Sequence, residues 1–535
     1  MNRHPVIRHT RHRSTRTRAM LVALLASVAP LAHAQEAAET VAVAAPISAI
    51  DWLSDSLDAP PRSVPVAPAD DIATNALPED VTVAPLGAVN VDGAGLVSAA
   101  QVGLPRNLWG ASQAIDLAQR INAIASRTTL LPASRRLLNT LVLAELDPPI
   151  QASEKGRLFL ARVDALLAQG MLEEADALMA QAGVPNAAIF RRAFDTKLLL
   201  GTENSACETL TSTPGLSPSL QARVFCLARS GDWNAAAVTL ETADALGLID
   251  ETQSALLARF LDPELFEGEP PLPVPDNPTP LTFRLMEAIG EPLPTVTLPL
   301  AFARSDLRDT VGWKARATAA ERLARVGALD PNLWLGIWTE HLPAASGGIW
   351  DRIDALQRFE TALKTGDPVG TSHALAPAWA AMRASGLQTV FAHLFASRIS
   401  ALPLTGDAAE MALDVGLLSP DYELIADSYD GPQTDHTALL LALARGEVPN
   451  VRPRNSLESA IIAGFRGKGV PVRLKTLVDE RRLGEAILRA ITLLEGGAAG
   501  DLDELTDALQ FFRAVGLGAT ARRAALELLL LDFRG

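Results

Sequence analysis

The stretch RLFLARVDALLAQGMLEEADALMAQA, residues 157–182, decides how the whole chain is read. Leu158, Leu160, Val163, Leu166 and Leu167 recur at helical spacing up to Gly170, and Leu172, Ala175, Leu178, Met179 and Ala182 resume the pattern beyond it. A 3.6-residue apolar period on both sides of a glycine describes two amphipathic helices folded back on each other. The layout returns around Gly231, with Leu220, Val224, Leu227, Ala236, Leu240 and Ala243, and in outline around Gly201. Gly170, Gly201 and Gly231 stand 31 and 30 residues apart, and each is followed five residues later by alanine, Ala175, Ala206 and Ala236. Glycine admits the left-handed turn that ends the first helix, and alanine lets the second helix approach it closely.

Over Leu158 to Leu246 these residues resemble the tetratricopeptide-type helical repeat, in which small residues occupy the same positions. The resemblance implies an all-α fold, an α-α superhelix of stacked hairpins whose inner helices form a concave surface for peptides or protein partners. This chain departs from the family's pattern in its period, 30 to 31 residues against roughly 34. The aromatic positions are mostly lost as well, and Thr213 replaces the second alanine of the middle copy. Composition agrees with a helical chain: 48% of residues are hydrophobic but only 5% aromatic, with alanine and leucine, both strong helix formers, dominating.

Upstream of the repeats, Ser112 is placed as the N-cap of a helix with Ile115, Leu117, Ala118, Ile121 and Ile124 inward. Pro132 fits the first turn of a second helix, which Asp147-Pro148-Pro149 ends. Residues 35–104 read as a tail rich in proline and alanine, disordered or loosely packed, because prolines at 46, 60, 61, 65, 68, 78 and 85 remove backbone donors. Within it, residues 81–97 form either a short hairpin or a segment lying along the first helices. Residues 1–34 read as a secretory signal peptide: six arginines and no acid, an apolar run from Met20 to Leu31, then Ala32-His33-Ala34 as the cleavage site. The run is too short for a transmembrane helix, which needs roughly 20 apolar residues. The expected location is periplasmic or secreted.

Downstream, seven prolines between Pro263 and Pro280 exclude helix and mark a linker, residues 263–280, between an N-terminal repeat block (105–262) and a C-terminal block (281–535). The second block is helical with less regular spacing, for example Trp313 to Ala324 and Ile353 to Leu363. Gly516 and Ala521 revive the glycine-alanine step near its end. Its segment 346–352 resembles sequences of uncharacterised secreted bacterial proteins. Trp313, Trp334, Trp338, Trp350 and Trp379 concentrate here, and an exposed subset of one or two is expected to contact a partner.

Cys207 and Cys226 are the only cysteines, on neighbouring antiparallel helices, and an oxidising compartment favours their pairing as a structural disulfide. The formal charge is -15, and removing the six arginines of residues 1–34 leaves 41 basic against 62 acidic residues, or -21. Such a surface disfavours nucleic acid. His341, His373, His393 and His436 are scattered, with no metal-binding spacing and no nucleophile or phosphate-loop motif, so neither catalytic residue nor cofactor is expected. The two glycines Gly347-Gly348 before a helix start are read as a capped turn in preference to an anion site. The rival reading comes from periplasmic lytic transglycosylases, which join a helical superhelix to a lysozyme-like domain with a catalytic Glu-Ser pair. Glu458-Ser459 offers that dipeptide, but the glycine-leucine-methionine-glutamine run that follows it in those enzymes is missing. A non-enzymatic envelope protein that binds another protein or peptide is the expectation.

Overall fold

The computed structural model of the chain describes residues 90–150, 156–183 and 186–531. The signal-peptide reading and most of the tail lie outside those residues. The fold is all-α. Two helices, α1 (Ala114–Ala125) and α2 (Pro132–Leu143), precede three hairpins: α3 (Arg157–Ala168) with α4 (Leu172–Ala182), α5 (Ala187–Leu200) with α6 (Glu203–Ser212), and α7 (Leu220–Arg229) with α8 (Trp233–Ala245). Gly170, Gly201 and Gly231 turn these hairpins in the left-handed region, at φ +77°, +76° and +88°. Ala175, Ala206 and Ala236 are buried where the paired helices meet. The disulfide Cys207–Cys226 ties α6 to α7, with Cα atoms 5.0 Å apart.

The chain continues through α9 (Glu251–Leu261), α10 (Pro280–Ala288), a 3₁₀ segment at Leu300–Leu307, α11 (Trp313–Arg325) and α12 (Pro331–Trp338). Next come α13 (Ile349–Thr365), α14 (Pro368–Ser385), α15 (Gln388–Ser400), α16 (Asp407–Leu417), α17 (Tyr422–Ser428) and α18 (Asp435–Arg445). The last five are α19 (Ser456–Arg466), α20 (Val472–Asp479), α21 (Leu483–Ala498), α22 (Leu502–Ala514) and α23 (Gly518–Leu530). Among the described residues the only strands are β1 (Val97–Ser98) and β2 (Ala144–Glu145), a two-residue parallel pair.

The end of this helical array returns to its beginning: α21 packs on α1, and α23 on α2. Main-chain bonds seal the contact. Gly484 N–H donates to the Leu108 carbonyl at 2.9 Å, and Ala111 N–H donates to the Arg481 carbonyl at 3.2 Å. Between them Trp109 is fully buried, its ring so close to Gly484 that a Cβ there would fall 2.4 Å from it. The first turn of α2 has no side-chain cap of its own. Its amides are capped across the seam instead, Leu131 N–H by Glu495 at 3.2 Å and Ala133 N–H by Glu527 at 2.7 Å. A buried carboxylate at a helix N-terminus satisfies orphan donors and meets the positive end of the dipole.

One expectation needs correction. Ser112 does not cap α1; its amide bonds the Trp109 carbonyl in the seam turn, and Gln113 stands at the helix start. Of the stretch read as a tail, the residues from Asn90 onward pack into the fold. Asp92 is fully buried and accepts from the amides of Gly156 (3.1 Å) and Phe159 (2.8 Å), which caps α3, while β1 pairs with β2 in place of a hairpin. Arg162 locks the same corner by donating to the carbonyls of Val142, Asp92 and Ala144 at 2.8, 3.1 and 2.9 Å.

The proline stretch at 263–280 is packed against one of two apolar cores. One core runs from Ala99 past the prolines to Phe302 and resumes from Leu413 to Leu528, and a second comprises residues between Ala303 and Leu418. The proline stretch lies on the first core: Leu272 packs there, its amide donates to Glu291 at 2.9 Å, and Arg259 pairs with Glu269. Pro280 is already the first residue of α10, capped by Thr279.

Candidate functional site

The five tryptophans of the second block divide by burial. Trp334 and Trp338 are 0% exposed and Trp379 only 6%, so these three belong to the core and cannot meet a partner. The period of α12 explains the first two: at i and i+4 their rings meet at a tilt of 45° with centroids 4.8 Å apart, and Trp338 Nε1 donates to the Ala317 carbonyl at 3.1 Å. Trp313 and Trp350 are half-buried and come together at the starts of α11 and α13, centroids 4.8 Å apart and planes tilted by 41°. Trp313 is fixed by its indole N–H, which donates to the Ile337 carbonyl at 2.7 Å, and the His341 ring meets it edge-on at 5.2 Å.

The pair forms one wall of an open groove of about 740 Å³. Pro292-Leu293-Pro294-Thr295-Val296 also line it, with Lys314 and Thr318 from α11. At its floor Asp306 accepts from the Thr295 hydroxyl, and Arg322 donates to the carbonyls of Thr295 (2.8 Å) and Leu298 (3.0 Å). Burial pushes the Asp306 carboxyl above its usual range, against the Thr295 hydrogen bond and the Arg308 and Arg322 charges. Burial also lowers Arg322. The groove thus combines a fixed polar network with aromatic and proline side chains.

A second, smaller cavity of about 230 Å³ lies between α5, α7, α9 and α10, with Phe194, Leu256, Leu257 and Leu285 around the half-buried Asp195. Burial raises that carboxyl to about 7, opposed by the charges of Arg191 and Arg192. Sequence reading passed over Asp195, which sits on a helix face among ordinary charged residues. It also passed over Trp233, exposed beside Phe260.

The other candidates do not assemble. No group of three or more His, Cys, Asp or Glu side chains among the described residues is arranged to hold a metal. Gly347 N–H is taken by Asp351 at 2.8 Å, so the two-glycine turn is closed by its own helix. Glu458 is buried at the first turn of α19; its carboxylate accepts from the Arg454 amide (2.7 Å) and the Arg454 guanidinium (2.8 Å), and its own amide donates to Asn455 Oδ1 (2.9 Å). Burial alone would raise it, yet the Arg454 bonds and charge, with His436, hold it below the usual carboxylate range. A carboxyl held ionised is the reverse of one poised to protonate a leaving group.

No protein-family model, curated protein or solved structure matches this chain.

Proposed function

We propose that this is a non-enzymatic helical-repeat protein, related in design to tetratricopeptide arrays, which is exported to the periplasm and holds an extended segment of another envelope protein in the Trp313–Trp350 groove. The observation that carries the reading is the groove itself: two tryptophans, one anchored by a hydrogen bond to the backbone, line an open trough together with a Pro-Leu-Pro segment. Rigid aromatic faces beside prolines bind extended peptide with little ordering cost. Export is supported by the basic, apolar and small-residue succession of residues 1–34, by the Cys207–Cys226 disulfide, and by the lack, among the described residues, of any helix long and apolar enough to cross a membrane.

The test places a photo-crosslinking residue at Lys314, inside the groove, and at the 88% exposed Val472 as a reference, and irradiates each in periplasmic extract. The reading expects adducts from position 314 that map to extended segments and disappear with Trp350→Ala. Equal labelling from both positions would refute it, and clearing of cell-wall sacculi by the purified protein would move it to the hydrolytic class.

A further inference from the structure

A third cavity, of about 210 Å³, opens where three distant parts of the chain meet: the α1–α2 loop, the C-terminal ends of α11 and α14, and Leu531 beyond α23. In a chain of net charge -15, three of its lining side chains are arginines: Arg135, Arg325 and Arg383. Arg135 is only 9% exposed; its main-chain amide donates to the Leu131 carbonyl at 3.0 Å, and its guanidinium donates to no described residue. A guanidinium has five donors, and none of the Arg135 side-chain nitrogens is shut away without a partner, so they are open to the cavity that the residue lines. Burial lowers its pKa to about 10, and the charge of Glu495, which acts on it through space while its oxygens cap α2, is what opposes that.

Arg325 is held at the rim. Its Nε donates to the Ser385 carbonyl at 2.6 Å and one terminal nitrogen to Glu321 at 3.0 Å, while Gly386 leaves room for its aliphatic arm, 3.3 Å from where a Cβ would be. Arg383 is exposed on the opposite rim and is engaged elsewhere as well. Thr128 and Thr129 line the same mouth and bring hydroxyls. Converging guanidinium forks with hydroxyl donors match the geometry of a tetrahedral oxyanion better than that of a planar or neutral ligand.

We infer that this cavity binds a small phosphoryl oxyanion, either free phosphate or a phosphate monoester, with Arg135 as the buried anchor and Arg325 and Arg383 closing over it. The inference is independent of the groove at Trp313.

Titration calorimetry of the full chain with inorganic phosphate at constant ionic strength tests it. Saturable one-site binding is expected, weakened at least tenfold by Arg135→Gln, less by Arg135→Lys, which keeps the charge but not the fork, and left unchanged by Trp350→Ala. Arg383→Gln, at an exposed position, carries the test if the Arg135 variants do not fold, with at least a fivefold loss expected. A phosphorylated sugar binding tighter than phosphate in the same cell assigns the ester as the natural source, and equal or weaker binding assigns the free ion. No saturable binding, or equal affinity in the arginine variants, overturns the inference.

Discussion

Replacing Gly110 by alanine strikes the seam between the two ends of the helical array at one atom. Gly110 has φ +47°, and a Cβ there would sit 2.0 Å from the Arg481 carbonyl oxygen. An L-residue in the left-handed region costs about 1–2 kcal/mol. Relieving the overlap moves the carbonyl away from Ala111 N–H, whose bond to it is 3.2 Å long, and a half-buried amide bond contributes about 0.5–1.5 kcal/mol. Together the change removes about 1.5–3.5 kcal/mol of local stability, which accelerates exchange of the Ala111 and Gly484 amides roughly 13- to 370-fold if the seam opens as a unit. Gly103→Ala is the control. It too is left-handed, at φ +68°, but its Cβ would meet nothing within 4 Å, so it shows the backbone cost alone. Hydrogen exchange followed by mass spectrometry compares the two; if Gly110→Ala opens the 108–111 and 481–484 segments no more than Gly103→Ala does, the seam does not rest on this contact.

Three further changes probe separate supports. Cys226→Ser opens a loop closed over 19 residues and is expected to cost about 3 kcal/mol in the α6–α7 region, read as a lower urea midpoint that reductant no longer shifts. Arg162→Met leaves the carbonyls of Val142, Asp92 and Ala144 without their shared donor and should cost about 3–5 kcal/mol; a loss below about 1 kcal/mol would show that the clamp is dispensable. Asp195 has a folded pKa near 7, above the ordinary carboxylate value of about 3.9, so the folded state binds its proton more tightly and stability from this group is complete below pH 4 and lost as pH rises through 7. Asp195→Asn should therefore melt higher than the native chain at pH 8 and show a flatter stability profile between pH 4 and 7; parallel profiles would contradict the burial of that charge.

What the sequence disclosed was local. The glycine-alanine steps at Gly170, Gly201 and Gly231 and the cysteine spacing are each contained in a few dozen residues, and helical periodicity places them on facing surfaces without reference to the rest of the chain. The seam was invisible for the opposite reason. Glu495 and Leu131 are 364 residues apart, and nothing in either neighbourhood marks a carboxylate that caps a helix from another part of the fold. Prolines between 263 and 280 excluded helix, but proline content says nothing about which surface an extended segment rests on, and this one rests on the first core. The tryptophans were legible as a group and not as individuals: Trp334 and Trp338 share a face of α12 turned inward, while Trp313 and Trp350 stand at helix starts, where the chain enters from solvent. Arg135 gave no signal at all, since its isolation appears only when the far helices are in place.

The closed arrangement of helix pairs is the claim on which the groove, the phosphoryl cavity and the buried carboxylates all depend. Spin labels at the exposed positions Asn107 and Glu480 report on it directly by pulsed electron resonance. Because Ala111 and Arg481 are hydrogen-bonded, the backbones of Asn107 and Glu480 lie no more than about 22 Å apart, and the turn at 107–110 brings them closer, so a narrow distribution below that limit is expected. An array that stayed open, with helices stacked about 10 Å apart along its length, would give a broad distribution tens of ångströms farther out and would contradict the account.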